Sequence, residues 1–312
     1  MNERPHYDRI FDPPLKPLAS ATGQRIGDRT TGESNVYVYD EEIVLAVNVA
    51  LATGRPLLVR GLPGRGKSRL APNVADQLGR RFYSMTISSR TQARDLTWTV
   101  DEVARLSDAS AGTAAPRSHY VVPGALWWAF EPETAARRGL PEGETRPPLT
   151  DPNQGTGGGP KAVVLLDEID KADPDVPNDL LESLGSYRFQ REDGPVVEAS
   201  TAPLVVLTTN EERELPKAFL RRCVVLVLQP PGRDRLLDIA EAHFGPRTDA
   251  LYDDILQSFG VPAAGGEGGV EVSTAEFLDA IAAAVKLDIV PGHELWPSVI
   301  QASALKPEPD LR

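Results

Sequence analysis

"GLPGRGKS", residues Gly61 to Ser68, has the G-x4-G-K-S spacing of a phosphate-binding P-loop. Glycine makes up about 7% of an average chain, so chance produces this pattern in roughly one chain in a hundred of this length. The flanking sequence supplies context. "RPLLVR" (55–60) is a short apolar run of the kind that forms a buried strand, and "SRLAPNVADQL" (68–78) suits a helix. A working P-loop needs that strand–loop–helix order. Gly61, Gly64 and Gly66 let the backbone curl so that several N–H groups converge. A helix N-terminus facing the same point favours an anion. Lys67 is expected to reach the β/γ-phosphates of a nucleotide and Ser68 to hold magnesium. Leu62, Pro63, Arg65 and Arg69 complete the stretch expected around the nucleotide. The plainer alternative is a glycine-rich strand-to-helix turn with a surface lysine.

Composition narrows the rest. The 312 residues suffice for one large domain and a smaller one. Hydrophobic content of 41% and charged content of 25% are ordinary for a globular protein. A net charge of −12 brings no counterion-release affinity for nucleic acid, and the arginines of "ETAARRG" and "LRR" are local spots, so nucleic acid is not an expected partner. One cysteine, Cys223, excludes an intrachain disulfide and a zinc cluster, and reads as a small buried residue at a strand start. The opening "MNERPHYDRIFDPPLKP" lacks the apolar stretch of a signal peptide. No run approaches the roughly 18 apolar residues of a membrane span. No membrane is expected, and the expected location is the cytoplasm.

Along the chain, residues 1–34 are polar with scattered prolines and read as an N-terminal arm. "YDEEIVLAVNVALATG" (39–54) has helical spacing and ends at Gly54. "RRFYSMTISS" (80–89) reads as a strand, and "DLTWTVDEVARLSDA" (95–109) as one helix with a charged outer face. "HYVVPGALWWAFEPETAARRG" (119–139) reads as a strand, a Pro-Gly turn, an aromatic cluster and a helix. Residues 139–160 hold eleven Gly or Pro in twenty-two, which predicts a flexible loop. Shortening that loop is expected to change melting little. "KAVVLLDEID" (161–170), "PLVVLTTN" (203–210) and "CVVLVLQPP" (223–231) are further buried strands, and a helix through "NDLLESL" (178–184) lies between the first two. Near-continuous apolar strands separated by helices predict an α/β fold, a five-stranded parallel sheet sandwiched by helices, over residues 35–231. After it, "RDRLLDIAEAHFG", "LYDDILQSFG" and "TAEFLDAIAAAVKLD" are amphipathic with no strand between them, which predicts a small α-helical lid over 232–312.

The chemistry-bearing residues cluster at strand ends. "VVLLDE" (163–168) ends a buried strand in two adjacent carboxylates. At the carboxyl end of a parallel strand such groups face the ligand crevice. Asp167 is placed to order magnesium and Glu168 to polarise an attacking water, unless the strand simply exits to solvent there. Asp170 and Lys171 read as a solvated pair. "LVVLTTN" (204–210) ends in Thr208, Thr209 and Asn210, whose amide can hold the attacking water or start an ordinary turn. "ELPKAFLRRC" (214–223) sets Arg221 and Arg222 before the last strand, where they can stabilise phosphoryl charge or sit on the surface. The four histidines, His6, His119, His243 and His293, are scattered and suggest no Ser/His/Asp triad.

In this order, "GLPGRGKS", "VVLLDEIDKADPDVPNDLLESL", "TTN" and "ELPKAFLRRC" resemble the AAA+ ATPases, and within them the MoxR-type branch, over about residues 36–230. The resemblance implies ATP and magnesium as cofactors, with hydrolysis driving the remodelling or activation of a partner protein. It implies Gly61–Ser68 as Walker A, Asp167 and Glu168 as Walker B, and Asn210 as sensor 1. Arg222 fits the family spacing of an arginine finger better than Arg221, and would act on a neighbouring subunit's nucleotide. It further implies a homo-oligomeric ring of six and a protein client, one with a von Willebrand factor type A domain. "YVVPGALWWAF" (120–130) would fall in the insert that works on partners, where Trp127 and Trp128 are either core packing or a functional surface. One stretch departs from the pattern. "EVSTAEFLDAI" (271–281) has no arginine where many relatives carry sensor 2, and Glu276 stands near that place. A nucleotide-gated switch or adaptor that binds ATP, assembles and hydrolyses slowly therefore stays open.

Overall fold

The computed structural model describes residues 7–16, 36–140, 147–155, 157–191, 194–247, 249–262 and 271–304. Helix α1 (Glu41–Thr53) precedes β1 (Leu57–Arg60), and α2 (Lys67–Gln77) precedes β2 (Arg81–Thr86). Then come β3 (Trp98–Val100), α3 (Glu102–Ser110), β4 (Val121–Pro123), α4 (Ala125–Phe130) and α5 (Pro132–Ala136). They are followed by β5 (Ala162–Asp167), α6 (Val176–Ser186), β6 (Arg188–Gln190), β7 (Val196–Glu198), β8 (Leu204–Thr209), the one-turn α7 (Lys217–Leu220) and β9 (Val224–Val227). The remaining elements are helices: α8 (Arg233–Phe244), α9 (Leu251–Ser258), α10 (Thr274–Leu287) and α11 (Trp296–Ser303). The described residues fall into two compact units. One takes those of Met1–Asp12, Glu42–Arg60 and Leu70–Val227, the other those of Pro13–Glu41, Gly61–Arg69 and Leu228–Arg312.

The first unit is built on a five-stranded sheet in the order β2-β5-β8-β1-β9. Every pairing in it is parallel. These are the five strands expected from the sequence, four of them apolar runs and β2 a mixed one. β5 is buried from Ala162 to Leu166 and surfaces only at Asp167, and β8 is buried throughout. Strands this apolar on both faces pair stably only where helices cover both sides. The register sets Val59 beside Thr208 and Arg60 beside Thr209, so the carboxyl ends of β1 and β8 share one edge of the sheet. Leu166 lies beside Leu207, which brings Asp167 to the same edge.

Trp127 and Trp128 belong to this unit's core. Trp127 is fully buried, stands edge-on to Phe189 at 5.9 Å between ring centroids, and donates its indole N–H to Thr134 Oγ1 at 3.0 Å. A buried indole with its N–H satisfied contributes to packing, so the core reading of the pair holds. Residues 95–109 are not one helix. A 3-10 turn (Ala93–Leu96) and β3 come first, and α3 begins only after Asp101, whose carboxylate accepts the Ala104 N–H at 2.8 Å. The β-branched and aromatic Thr97–Val100 run favours strand over helix, and β3 pairs antiparallel with β4.

The 139–160 loop also differs from expectation. Residues 141–146 and 156 lie outside the described residues. The others form no helix or strand, yet they dock on β2. Asn153 Oδ1 accepts the Phe82 N–H at 2.8 Å, the Gln154 N–H reaches Phe82 O at 2.8 Å, and the Tyr83 hydroxyl donates to Asp151 at 3.0 Å. A Cβ on Gly157 would lie 2.3 Å from the Gly79 backbone, so only glycine permits this approach. Within the arm, residues 1–6 and 17–35 are not among those described. Phe11 is buried, and Asn48 holds the chain beside it, accepting from the Ile10 and Phe11 N–H groups at 2.7 and 2.9 Å and donating to Phe11 O at 2.7 Å.

The second unit has a helical core in which Leu236, Ile255, Leu256, Phe277 and Ile281 pack together. Helix α10 opens with a reciprocal capping box. Ser273 Oγ accepts the Glu276 N–H at 3.2 Å, and the Glu276 carboxylate accepts the Ser273 N–H at 2.8 Å. Ion pairs Lys16–Asp238 and Arg235–Asp40, each at 2.6 Å, hold the described residues of 13–41 to α8. No helix among the described residues is long and apolar enough to cross a membrane.

Candidate active site

Gly61, Gly64 and Gly66 take φ of 144°, 78° and 81°, the left-handed region that lets the loop curl. Lys67 opens α2 and is buried, its ammonium donating to the Gly61 and Leu62 carbonyls at 2.6 and 2.9 Å. An ammonium curled onto its own loop is a charge held ready, since phosphate oxygens are stronger acceptors than amide carbonyls. Ser68 follows in the first turn of α2, while Leu62, Pro63 and Arg69 are exposed.

The loop is held within its own unit by the start of α10. The Ala275 N–H donates to Gly64 O at 3.3 Å, and a Cβ on Gly64 would lie 2.8 Å from Ser273 Cβ. Arg65 donates to Leu228 O at 2.9 Å and pairs with Glu271. Glu276, at the expected sensor 2 place, is engaged in the capping box.

The acids sit at the carboxyl edge of the sheet in the other unit. Thr208 bridges them, its hydroxyl donating to Asp167 Oδ1 and accepting the Glu168 N–H at 2.9 Å. Glu168 takes φ of 62°, a left-handed backbone that costs a non-glycine residue on the order of 1 kcal/mol. Its carboxylate is gripped on both oxygens. Asn210 Nδ2 donates to Oε1 at 3.2 Å and Lys171 Nζ to Oε2 at 2.8 Å. The hydrogen bond to Glu168 holds the Lys171 ammonium above its usual pKa. Asp170 and Lys171 are thus not a solvated pair. Asp170 is buried and accepts the Glu212 N–H at 3.0 Å, and Lys171 pairs with Glu168 instead. Arg60 pairs with Glu211 at 2.9 Å beside this cluster.

Arg221 and Arg222 follow α7 with exposed side chains. Their backbone carbonyls are held by Arg55.

Each unit carries residues of the kind that a magnesium nucleotide uses. The loop has its lysine and a serine at a helix start, and the sheet has a strand-end carboxylate, suited to an ion that keeps most of its water. Among the described residues no group of three or more His, Cys, Asp and Glu side chains is placed to hold a metal ion by itself. Sequence spacing did not single out Thr208 as a bridge, the Lys171–Glu168 pair, or Arg55. Thr208 lies within the "TTN" already noted, but its partner is 41 residues away in sequence.

The AAA domain family, dynein-related subfamily, matches residues 56–223, more than half of the chain. The chain belongs to that family and so to the ATP hydrolases of the AAA+ class. Among curated proteins it is similar to the chaperone protein ClpB of Rhodopseudomonas palustris, 34% identical over 103 residues. That match takes in 31% of this chain and spans only 10% of ClpB. Similar solved structures include a mutant of Thermotoga maritima RuvB, 12% identical with a TM-score of 0.45, over 84% of this chain and 67% of that one. The Thermotoga maritima RuvB Holliday junction branch migration motor is 13% identical with a TM-score of 0.44, over 93% of this chain and 72% of that one.

Proposed function

We propose that the protein is a MoxR-type AAA+ ATPase that hydrolyses ATP, with magnesium, to remodel or activate a partner protein in the cytoplasm. Residues Gly61–Arg69 bind the nucleotide, with Lys67 moving from its loop carbonyls to the β/γ-phosphates. Ser68 and Asp167 hold the magnesium. When bound, that ion neutralises phosphate charge. Glu168 accepts the proton of the attacking water, and Asn210 orients the carboxylate through its bond to Oε1. Arg222, or failing it Arg221, reaches a neighbouring subunit's γ-phosphate, in a ring of six identical chains. The client is a protein, of the kind that carries a von Willebrand factor type A domain.

The observation that supports this reading best is the grip on Glu168. A carboxylate at the end of a buried strand, fixed by Thr208 at its backbone and Asn210 at its side chain, is an oriented base. The test is a titration of Lys67→Ala with a fluorescent ATP analogue. Lost binding is expected, and unchanged affinity would remove the loop as the site.

A second reading is a nucleotide-gated switch that hydrolyses slowly. It is favoured by Lys171, which occupies the other oxygen of Glu168, and by Glu276, which is engaged in its cap. Steady-state turnover separates the two. Turnover at or above about 1 per second is typical of working enzymes and supports the remodelling reading.

A further inference from the structure

The guanidinium of Arg55 holds three consecutive backbone carbonyls. Its Nη2 donates to Arg221 O and Cys223 O, both at 2.7 Å, and its Nε to Arg222 O at 3.2 Å. These carbonyls sit at and just beyond the C-terminus of α7, where helical carbonyls lack partners and carry partial negative charge. An arginine fork presents several donors in a fixed plane and can serve all three at once, which a lysine cannot.

The same segment is tied from below. Phe219 and Cys223 are buried in the core, and the Val224 N–H donates to Pro56 O at 2.8 Å. Pro56 follows Arg55, so the fork and the strand contact anchor the segment to one short stretch ahead of β1. The backbone of Arg221 and Arg222 is therefore fixed while both side chains remain exposed. They stand ahead of β9, an edge strand of the sheet. Two exposed arginines on a rigid base are arranged to serve something outside the subunit.

We infer that Arg55 is a positioning residue for the arginine that completes a neighbouring subunit's active site. It fixes the backbone from which Arg222 reaches. This inference rests on the proposal that Arg222 or Arg221 acts in trans. Misplacing a catalytic group by about 1 Å can cost on the order of 100-fold in rate, so loss of the fork is expected to lower turnover by about that factor without touching nucleotide binding.

The test uses full-length Arg55→Met and Arg55→Lys, with ATP affinity, melting temperature and turnover measured for each. Arg55 is exposed, so both variants are expected to fold and to bind ATP as the parent does. Turnover falls in Arg55→Met and recovers only in part in Arg55→Lys. The decisive readout is mixing. Excess Glu168→Gln, which has a dead site but a well-held arginine, restores turnover at the intact sites of Arg55→Met. Excess Arg221→Ala/Arg222→Ala does not. Full turnover in Arg55→Met, while an Arg221→Ala/Arg222→Ala double variant is inactive, overturns the positioning role alone. So does a loss that Glu168→Gln cannot restore. Full turnover in the double variant overturns the trans-acting arginine and this inference with it.

Discussion

At the residue scale, the proposed base is Glu168, and Asn210 and Lys171 each hold one oxygen of its carboxylate. Glu168→Gln keeps the shape of the side chain but removes the proton acceptor. It is expected to bind ATP and lose turnover by about 100-fold or more, the usual contribution of a positioned general base. Turnover within twofold of the parent would show that another group polarises the water. Lys171 holds Oε2 from a half-buried position. Lys171→Met is expected to leave melting unchanged and to raise basal turnover, because Asn210 still orients a carboxylate that no longer faces an ammonium. A fall in turnover with unchanged melting would mean that Lys171 orients the base. Cys223 is a third probe at this scale. Burial pushes its thiol up to about 12, against the opposing charge of Arg55. The thiol therefore stays protonated at neutral pH, and alkylation is expected to proceed only as the chain unfolds. Fast labelling of the folded protein would contradict that.

At the element scale, the clearest departure from the sequence reading is the 139–160 loop, and the reason is physical. Its glycine and proline content rules out apolar periodicity, and periodicity is what reveals packing in a sequence. The described part of the loop is held instead by hydrogen bonds to β2, with Asn153 accepting the Phe82 N–H and, within the loop, donating to Gly157 O. Asn153→Ala leaves the Phe82 N–H without its partner. A buried donor left unpaired costs about 1–3 kcal/mol, and a scan by calorimetry is expected to show melting lowered by several degrees. An unchanged melting temperature would return the loop to the flexible class. Four of the sheet strands were legible as apolar runs and β2 as a short stretch rich in strand-favouring residues, and Lys67, Asp167 and Glu168 because their spacing is specific. β3 was not read, since a strand of three residues is defined by a partner, here β4, that no local pattern reveals, and the short pair β6 and β7 was not read either. The hairpin of β6 and β7 did leave a signal in the Asp-Gly at 193–194. Pro297 in the first turn of α11 was a helix-start signal that also passed unread.

At the scale of the whole molecule, the P-loop groups with the helical residues and the acids with the sheet. That division is invisible in a linear reading, because it cuts the chain immediately after β1. The tie between Gly64 and the start of α10 gives the loop a neighbour within the helical unit. No arginine occurs in 271–287, and the loop meets this stretch through the Ala275–Gly64 backbone bond and the Arg65–Glu271 pair. The proposed function has this chain hydrolyse ATP with Lys67 and Glu168 and depend on an arginine from a neighbour. Phosphate release from ATP with magnesium, measured per chain across a wide range of protein concentration, tests it most directly. Turnover per chain is expected to rise with concentration, and Lys67→Ala and Glu168→Gln are expected to abolish it throughout, Glu168→Gln while still holding ATP. Turnover that is independent of concentration and untouched by either substitution would contradict it.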